Sequence, residues 1–183
     1  VVVLVAAAVG FSFLQTPVYS AHADVLVPQQ DAVTQASGDQ SNLQQNPQYL
    51  QRNIDNAQKF ASSNVVKEAA QKKLGFNASV SVSGSSDADL LTFHANNTNK
   101  QRAAHVANTY AQAYIDADRQ RQSTQYMSYA GTLRGRISDL QTQQKGLNPN
   151  SPESQALSQD ISSLQQTVST LQGAAQIANN GGG

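Results

Sequence analysis

The chain has 183 residues, with 12 Lys and Arg against 12 Asp and Glu and a formal net charge of zero. That balance leaves no basic footprint for nucleic acid and no field to steer a charged ligand. Only 13% of residues are charged, so Gln, Asn and Ser supply most of the polarity. There is no Cys, which excludes disulfide frameworks and thiolate metal sites and leaves the redox compartment unspecified.

In chain order, residues 1–14 (VVVLVAAAVGFSFL) carry no charge and a single polar interruption, Ser12. The run is shorter than the roughly 20 apolar residues of a membrane helix. It reads as the outer part of a transmembrane helix, residues 1–16, whose beginning is missing; a signal-peptide core or a buried core segment are the alternatives. No small-x-small cleavage site follows, because Tyr19 to Ala23 alternates like a strand. After Pro17, the segment VYSAHADVLVP (18–28) predicts a first strand, with Val18, Ala21, Ala23, Val25 and Val27 punctuating polar neighbours. Residues 29–45 lack a sustained period and read as a solvated loop. Leu50, Ile54, Ala57, Phe60 and Ala61 then recur at helical spacing, with Asn46 as N-cap and Pro47 at N1. Ser62, Ser63 and Asn64 end that helix, and a second, Val65 to Leu74, is closed by Gly75.

Ala78, Val80 and Val82 alternate with Ser79, Ser81 and Ser83, a strand with one face buried, and Gly84, Ser85, Ser86 and Asp87 predict a turn. Leu90, Leu91, Phe93 and Ala95 form the next strand. A few Asn residues later a long helix begins, its apolar face carried by Ala103, Ala104, Ala107, Tyr110, Ala111, Tyr114 and Ile115. Further on, Leu133, Ile137, Leu140, Gln144 and Leu147 make a heptad-like seam with one polar member. Asn148, Pro149, Asn150, Ser151 and Pro152 predict a sharp turn, Ser151 being N-cap and Pro152 N1 of the return helix. Leu157, Ile161, Leu164, Val168, Leu171 and Ala175 repeat four, three, four, three, four. The outgoing helix, about 49 residues, exceeds the returning one, about 27, so its proximal half is expected to pack on the α/β base. The fold class is therefore α+β: an α/β base over 17–122, a long antiparallel helical hairpin over 123–178, and a linker at 179–183.

The apolar run, the proline after it, Tyr19 with Ala21 and Val25 in an extended segment, the Ser/Asp turn before Leu90-Leu91 and the run AAHVANTYAQAY (103–114) together resemble the chain-length-determinant family, the polysaccharide co-polymerases. The resemblance covers nearly the whole chain, and the order of its motifs is more specific than any one of them. It implies a cell-membrane protein whose bulk is extracytoplasmic: a membrane-proximal base, a projecting hairpin, and a second transmembrane helix beyond residue 183. It implies a role in setting the length, or assisting the export, of a capsule, exopolysaccharide or O-antigen by oligomeric scaffolding. The implied partners are copies of the same chain, the lipid bilayer, a polysaccharide polymerase or growing glycan, and a cytoplasmic tyrosine kinase, either fused or separate. The second span and any kinase phosphate loop are absent from these residues, as are the basic residues that would test the positive-inside orientation.

No catalytic, cofactor-binding or metal-ligating residue is assigned. Gly181 to Gly183 is the only glycine-rich stretch and lacks the Lys and Ser/Thr of a phosphate loop. His22, His94 and His105 have no second His or acid at a recognised ligand spacing and read as surface or half-buried histidines. Asp87 and Asp89 fit turn chemistry better than paired acid-base carboxylates. Asp116 and Asp118 with Arg119 and Arg121 predict a solvated ion-pair face, an inter-subunit contact being the alternative. Tyr110, Tyr114, Tyr126 and Tyr129 could stack on sugars but fit the joint between helix and sheet better. Arg134 and Arg136 could meet an anionic glycan, a solvated pair being the default. Asn77-Ala78-Ser79 and Asn96-Asn97-Thr98 are glycosylation sequons by pattern alone. Three functions compete: a structural co-polymerase, the sensor or activator half of a transmembrane tyrosine kinase, and a periplasmic adaptor of a secretion or efflux system.

Overall fold

Alternation of small or apolar residues with polar ones builds the sheet. In a computed structural model, which describes residues 17–27 and 47–180, the strands are β1 (Tyr19–Leu26), β2 (Val80–Ser85) and β3 (Leu90–Asn97), in the order β1-β3-β2 and antiparallel throughout. Among the described residues four helices accompany the sheet, an α+β class: α1 (Pro47–Ala61), α2 (Asn64–Leu74), α3 (Lys100–Lys145) and α4 (Pro152–Asn180). The membrane segment expected at 1–16, the loop at 29–45, the cap Asn46 and the glycines 181–183 lie outside the described residues. No helix among the described residues is long and apolar enough to cross a membrane.

The chain divides into two compact units, one holding the described residues 17–27 and 51–114, the other 47–50 and 115–180. In the first, β3 turns Leu91, Phe93 and Ala95 inward, each almost fully buried, while Thr92 and His94 take the other face. Ile54, Ala57 and Ala61 of α1 and Val66 and Ala70 of α2 are buried as their spacing predicts. From α3 the unit takes Ala103, Val106, Ala107, Tyr110, Ala111, Ala113 and Tyr114. Ala104, expected on that face, is exposed. Tyr114 closes the core, its ring tilted against Phe93 at 5.7 Å and Phe60 at 6.0 Å; such aromatic pairs add about 0.5–1.5 kcal/mol beyond area burial. It is the last residue of α3 in this unit.

Capping fixes the boundaries. Gly75 ends α2 in the left-handed conformation, φ 74°, with its N–H on the Gln71 carbonyl. Asn99 starts α3, its Oδ1 accepting from the Arg102 N–H at 3.0 Å. One local expectation, the turn at Gly84 to Asp87, is corrected here. Gly84 is inside β2, and the turn occupies residues 86–89. The reason is packing: a Cβ on Gly84 would stand 2.5 Å from Ile54 Cγ2, so the glycine lets α1 lie close to the strand. The turn closes instead on Asp89, a non-glycine residue at φ 52°, whose carbonyl accepts from the Val27 N–H at 2.7 Å.

The second unit is a helical pair. Ser123, Tyr126, Ala130, Leu133, Ile137, Leu140 and Gln144 of α3, spaced alternately three and four, are buried or half-buried. So are Ser154, Leu157, Ile161, Leu164, Val168, Leu171, Ala175 and Ala178 of α4. Tyr126 to Ile137 and Ile161 to Ala175 belong to one buried cluster. Ser151 caps α4 as expected, accepting from the Ser154 N–H at 3.2 Å, and Pro152 opens the helix. Leu147, expected as the next seam position, is 38% exposed because α3 stops at Lys145 and the chain turns through 3₁₀-type bonds, Gly146 N–H to Gln143 and Leu147 N–H to Gln144. Asn179 and Asn180, expected as linker, are helical.

Candidate functional site

Each strand sends alternate side chains to opposite faces, and the face of the sheet away from its apolar core is entirely polar at its centre. Across it run Ser20, His22 and Asp24 of β1, Asn96, His94 and Thr92 of β3, and Ser81 and Ser83 of β2. The register sets Ser20 opposite Asn96, His22 opposite His94 and Asp24 opposite Thr92. On the other side of β3, Ser81 pairs with His94 and Ser83 with Thr92. The imidazoles of His22 and His94 lie 6.2 Å apart between centroids, tilted by 44°, and Ser83 Oγ is 3.2 Å from His94 Nε2. Spacing along the chain could not reveal this pair, since the partners are brought together only by strand register. His105 lies apart from it, exposed on α3. Among the described residues no three His, Cys, Asp or Glu side chains are grouped so as to hold a metal ion.

A second polar feature of the first unit is an open groove of about 530 Å³ lined by Lys67, Gln71, Asn77, Ala78 and Ser79. Behind it the Tyr110 hydroxyl donates to the Ala78 carbonyl at 2.6 Å, pinning the segment between Gly75 and β2. Burial pushes the Tyr110 phenol above its ordinary value, and a hydrogen bond with Gln71 partly offsets this. The same segment carries Phe76, over whose ring the Arg102 guanidinium sits at 5.5 Å. Amides, a hydroxyl and one ammonium make the groove suited to hydrogen-bonding ligands.

Of the tyrosines expected at the joint between helix and sheet, Tyr110 and Tyr114 are buried in the sheet unit, whereas Tyr126 is buried and Tyr129 packs half-buried on the helical seam. Arg134 and Arg136 are exposed on α3. Of the charged residues at 116–121, Asp118 holds Arg121 at 2.6 Å and Gln122 at 2.6 Å, a helix-surface arrangement worth a few tenths of a kcal/mol (~0.3–0.5). Asp87 is exposed in the turn, and Asp89 serves the turn through its backbone. The sequon residues Asn77 and Asn96 are both exposed.

In the second unit, Gln144 is the polar feature. Its Nε2 donates to the Ser154 carbonyl at 3.1 Å and to Ser158 Oγ at 2.5 Å, and Ser154 itself is buried. Outside the seam, α4 carries only two charged residues, Glu153 and Asp160, among many Gln, Ser and Thr. Comparison of the chain with family models, with curated proteins and with solved structures yields no match.

Proposed function

We propose that this chain is the extracytoplasmic part of a membrane-anchored regulator of cell-surface polysaccharide length or export, working as an oligomeric scaffold and not through chemistry of its own. The observation that best supports the reading is α3: one helix supplies core residues to a sheet-containing unit as far as Tyr114 and seam residues to a helical pair from Ser123 onward. The order of elements, strand, two helices, two strands, long helix and return helix, supports a base followed by a hairpin, which is what the chain-length-determinant resemblance implies.

In this reading residues 1–16 anchor the chain in the bilayer, the sheet unit forms the base, and the helical pair projects as a hairpin. The nearly uncharged flank of α4 supports contact with a polymer or a neighbouring copy through amides and hydroxyls. The test is deletion of the gene in its own bacterium, followed by sizing of the surface polysaccharide on gels. Loss of the normal size distribution is expected, restored by the wild-type gene but not by Leu164→Pro, since proline inside a helix costs about 3 kcal/mol or more. An unchanged distribution in the deletion strain refutes the proposal.

A further inference from the structure

The chain has three histidines, and the sheet register sets two of them side by side. Directly opposed residues on antiparallel strands have Cβ atoms about 4.5–5.5 Å apart, so His22 and His94 can meet a common ion by side-chain rotation alone. Their centroids are 6.2 Å apart. A midpoint ion would stand about 3.1 Å from each, close to a metal–nitrogen bond of about 2.0–2.1 Å plus the ~1 Å from ring nitrogen to ring centre. A bent arrangement draws the rings slightly closer.

The neighbouring side chains favour the same chemistry. A ligating imidazole normally uses its second nitrogen to hydrogen-bond a partner that fixes its orientation. Ser83 Oγ occupies that role at His94 Nε2, at 3.2 Å, and leaves Nδ1 as the ligand atom. Asp24, on the same face and two residues beyond His22, adds negative charge about 7 Å along the strand. Ser20, Ser81 and Thr92 flanking the rings are short, so water can complete the coordination. Imidazole nitrogen selects Zn²⁺, Ni²⁺ and Cu²⁺ over Mg²⁺ and Ca²⁺.

We infer that His22 and His94 form a solvent-open, two-imidazole site for a divalent first-row transition ion such as Zn²⁺ or Cu²⁺. The bound ion staples the edge strand β1 to the central strand β3, and so raises the stability of the sheet by mass action. The inference is independent of the polysaccharide reading, and failure of either leaves the other standing.

The experiment uses the purified full chain, stripped of metal by chelator, at about pH 7.5. ZnCl₂ is titrated by calorimetry, and CuCl₂ is followed by electron paramagnetic resonance. A saturable single site is expected, with nitrogen hyperfine structure from two imidazoles and a Zn²⁺-dependent rise in melting temperature. His22→Ala and His94→Ala should each weaken binding at least tenfold, the lower bound for loss of even an outer-shell partner; His105→Ala should leave it unchanged. His22→Asn, which keeps a short polar side chain, serves as the second variant, with circular dichroism reporting the fold. Absence of saturable binding, wild-type affinity in His22→Ala and His22→Asn, or an equal loss in His105→Ala would each overturn the inference.

Discussion

Replacing Gly84 by alanine probes the closest helix-to-strand approach in the first unit. The added Cβ meets Ile54 Cγ2 at 2.5 Å, Gln58 Oε1 at 3.3 Å and Leu91 Cδ2 at 3.4 Å. Carbon atoms at rest lie about 3.5–4.0 Å apart, so Ile54 must withdraw by about 1.0–1.5 Å. Ile54 is 2% exposed and cannot swing into solvent. Being β-branched on a helix, it has one strongly preferred rotamer, and Gln58 is tied to the Val82 carbonyl at 2.9 Å. Overpacking of this kind costs about 1–3 kcal/mol, while alanine regains about 0.5–1 kcal/mol of the backbone entropy that glycine loses in a strand. The net expectation is destabilisation by about 1–2 kcal/mol. Urea unfolding followed by far-UV circular dichroism should show the midpoint falling by about 0.5–1 M. Ile54→Ala removes the obstructing methyl, so the double variant Gly84→Ala/Ile54→Ala should be more stable than the sum of the single effects by about 1 kcal/mol or more. Wild-type stability of Gly84→Ala, or strict additivity in the double variant, would refute the reasoning.

Tyr110→Phe removes the 2.6 Å bond to the Ala78 carbonyl and should cost about 1 kcal/mol, read by the same urea titration. Because burial raises the phenol above 10.0 in the folded state, the unfolded chain releases this proton first; the stability concerned is complete below about pH 10 and lost as pH rises through the folded value. Tyr110→Phe should therefore show a shallower alkaline loss of stability, and an unchanged slope would contradict this. At the seam, Gln144→Ala gives up the bonds to Ser154 and Ser158 and should lower the melting temperature by an amount equivalent to about 1 kcal/mol, whereas Gln144→Leu, apolar at a seam position, should be milder. In the turn, Asp89→Gly should be tolerated, while Asp89→Val should cost about 1–2 kcal/mol because a β-branched residue resists φ 52°; equal stabilities of these two variants would be the contrary result.

The elements that could be read along the chain are those whose periodicity comes from their own side chains. Alternation at Val80 and Val82 and the three-four spacing of α4 announce strand and helix because burial falls on apolar residues. The proximal seam of α3 escaped because its positions are Ser123, Tyr126 and Ala130, of which serine and alanine give little hydrophobic signal. Gly84 looked like a turn because glycine's two uses, left-handed backbone and close approach, are indistinguishable in sequence. The pairing of His22 with His94 was hidden for a third reason: no distance along the chain encodes which strand lies beside which.

The seam of the helical pair carries a consequence for how such a chain can change its dimensions. Its buried positions repeat at three-four spacing on both helices, and the hydrogen bonds of Gln144 to Ser154 and Ser158 lock the pairing beside the turn. Insertion of seven residues into each helix at matching points would keep every apolar side chain on its partner and lengthen the pair by about 10.5 Å. Insertion of two residues into one helix alone would rotate the apolar positions beyond it by about 200°, away from the partner helix. Length can therefore be altered in discrete steps, a ruler graduated in heptads, with the turn and its amide lock left untouched.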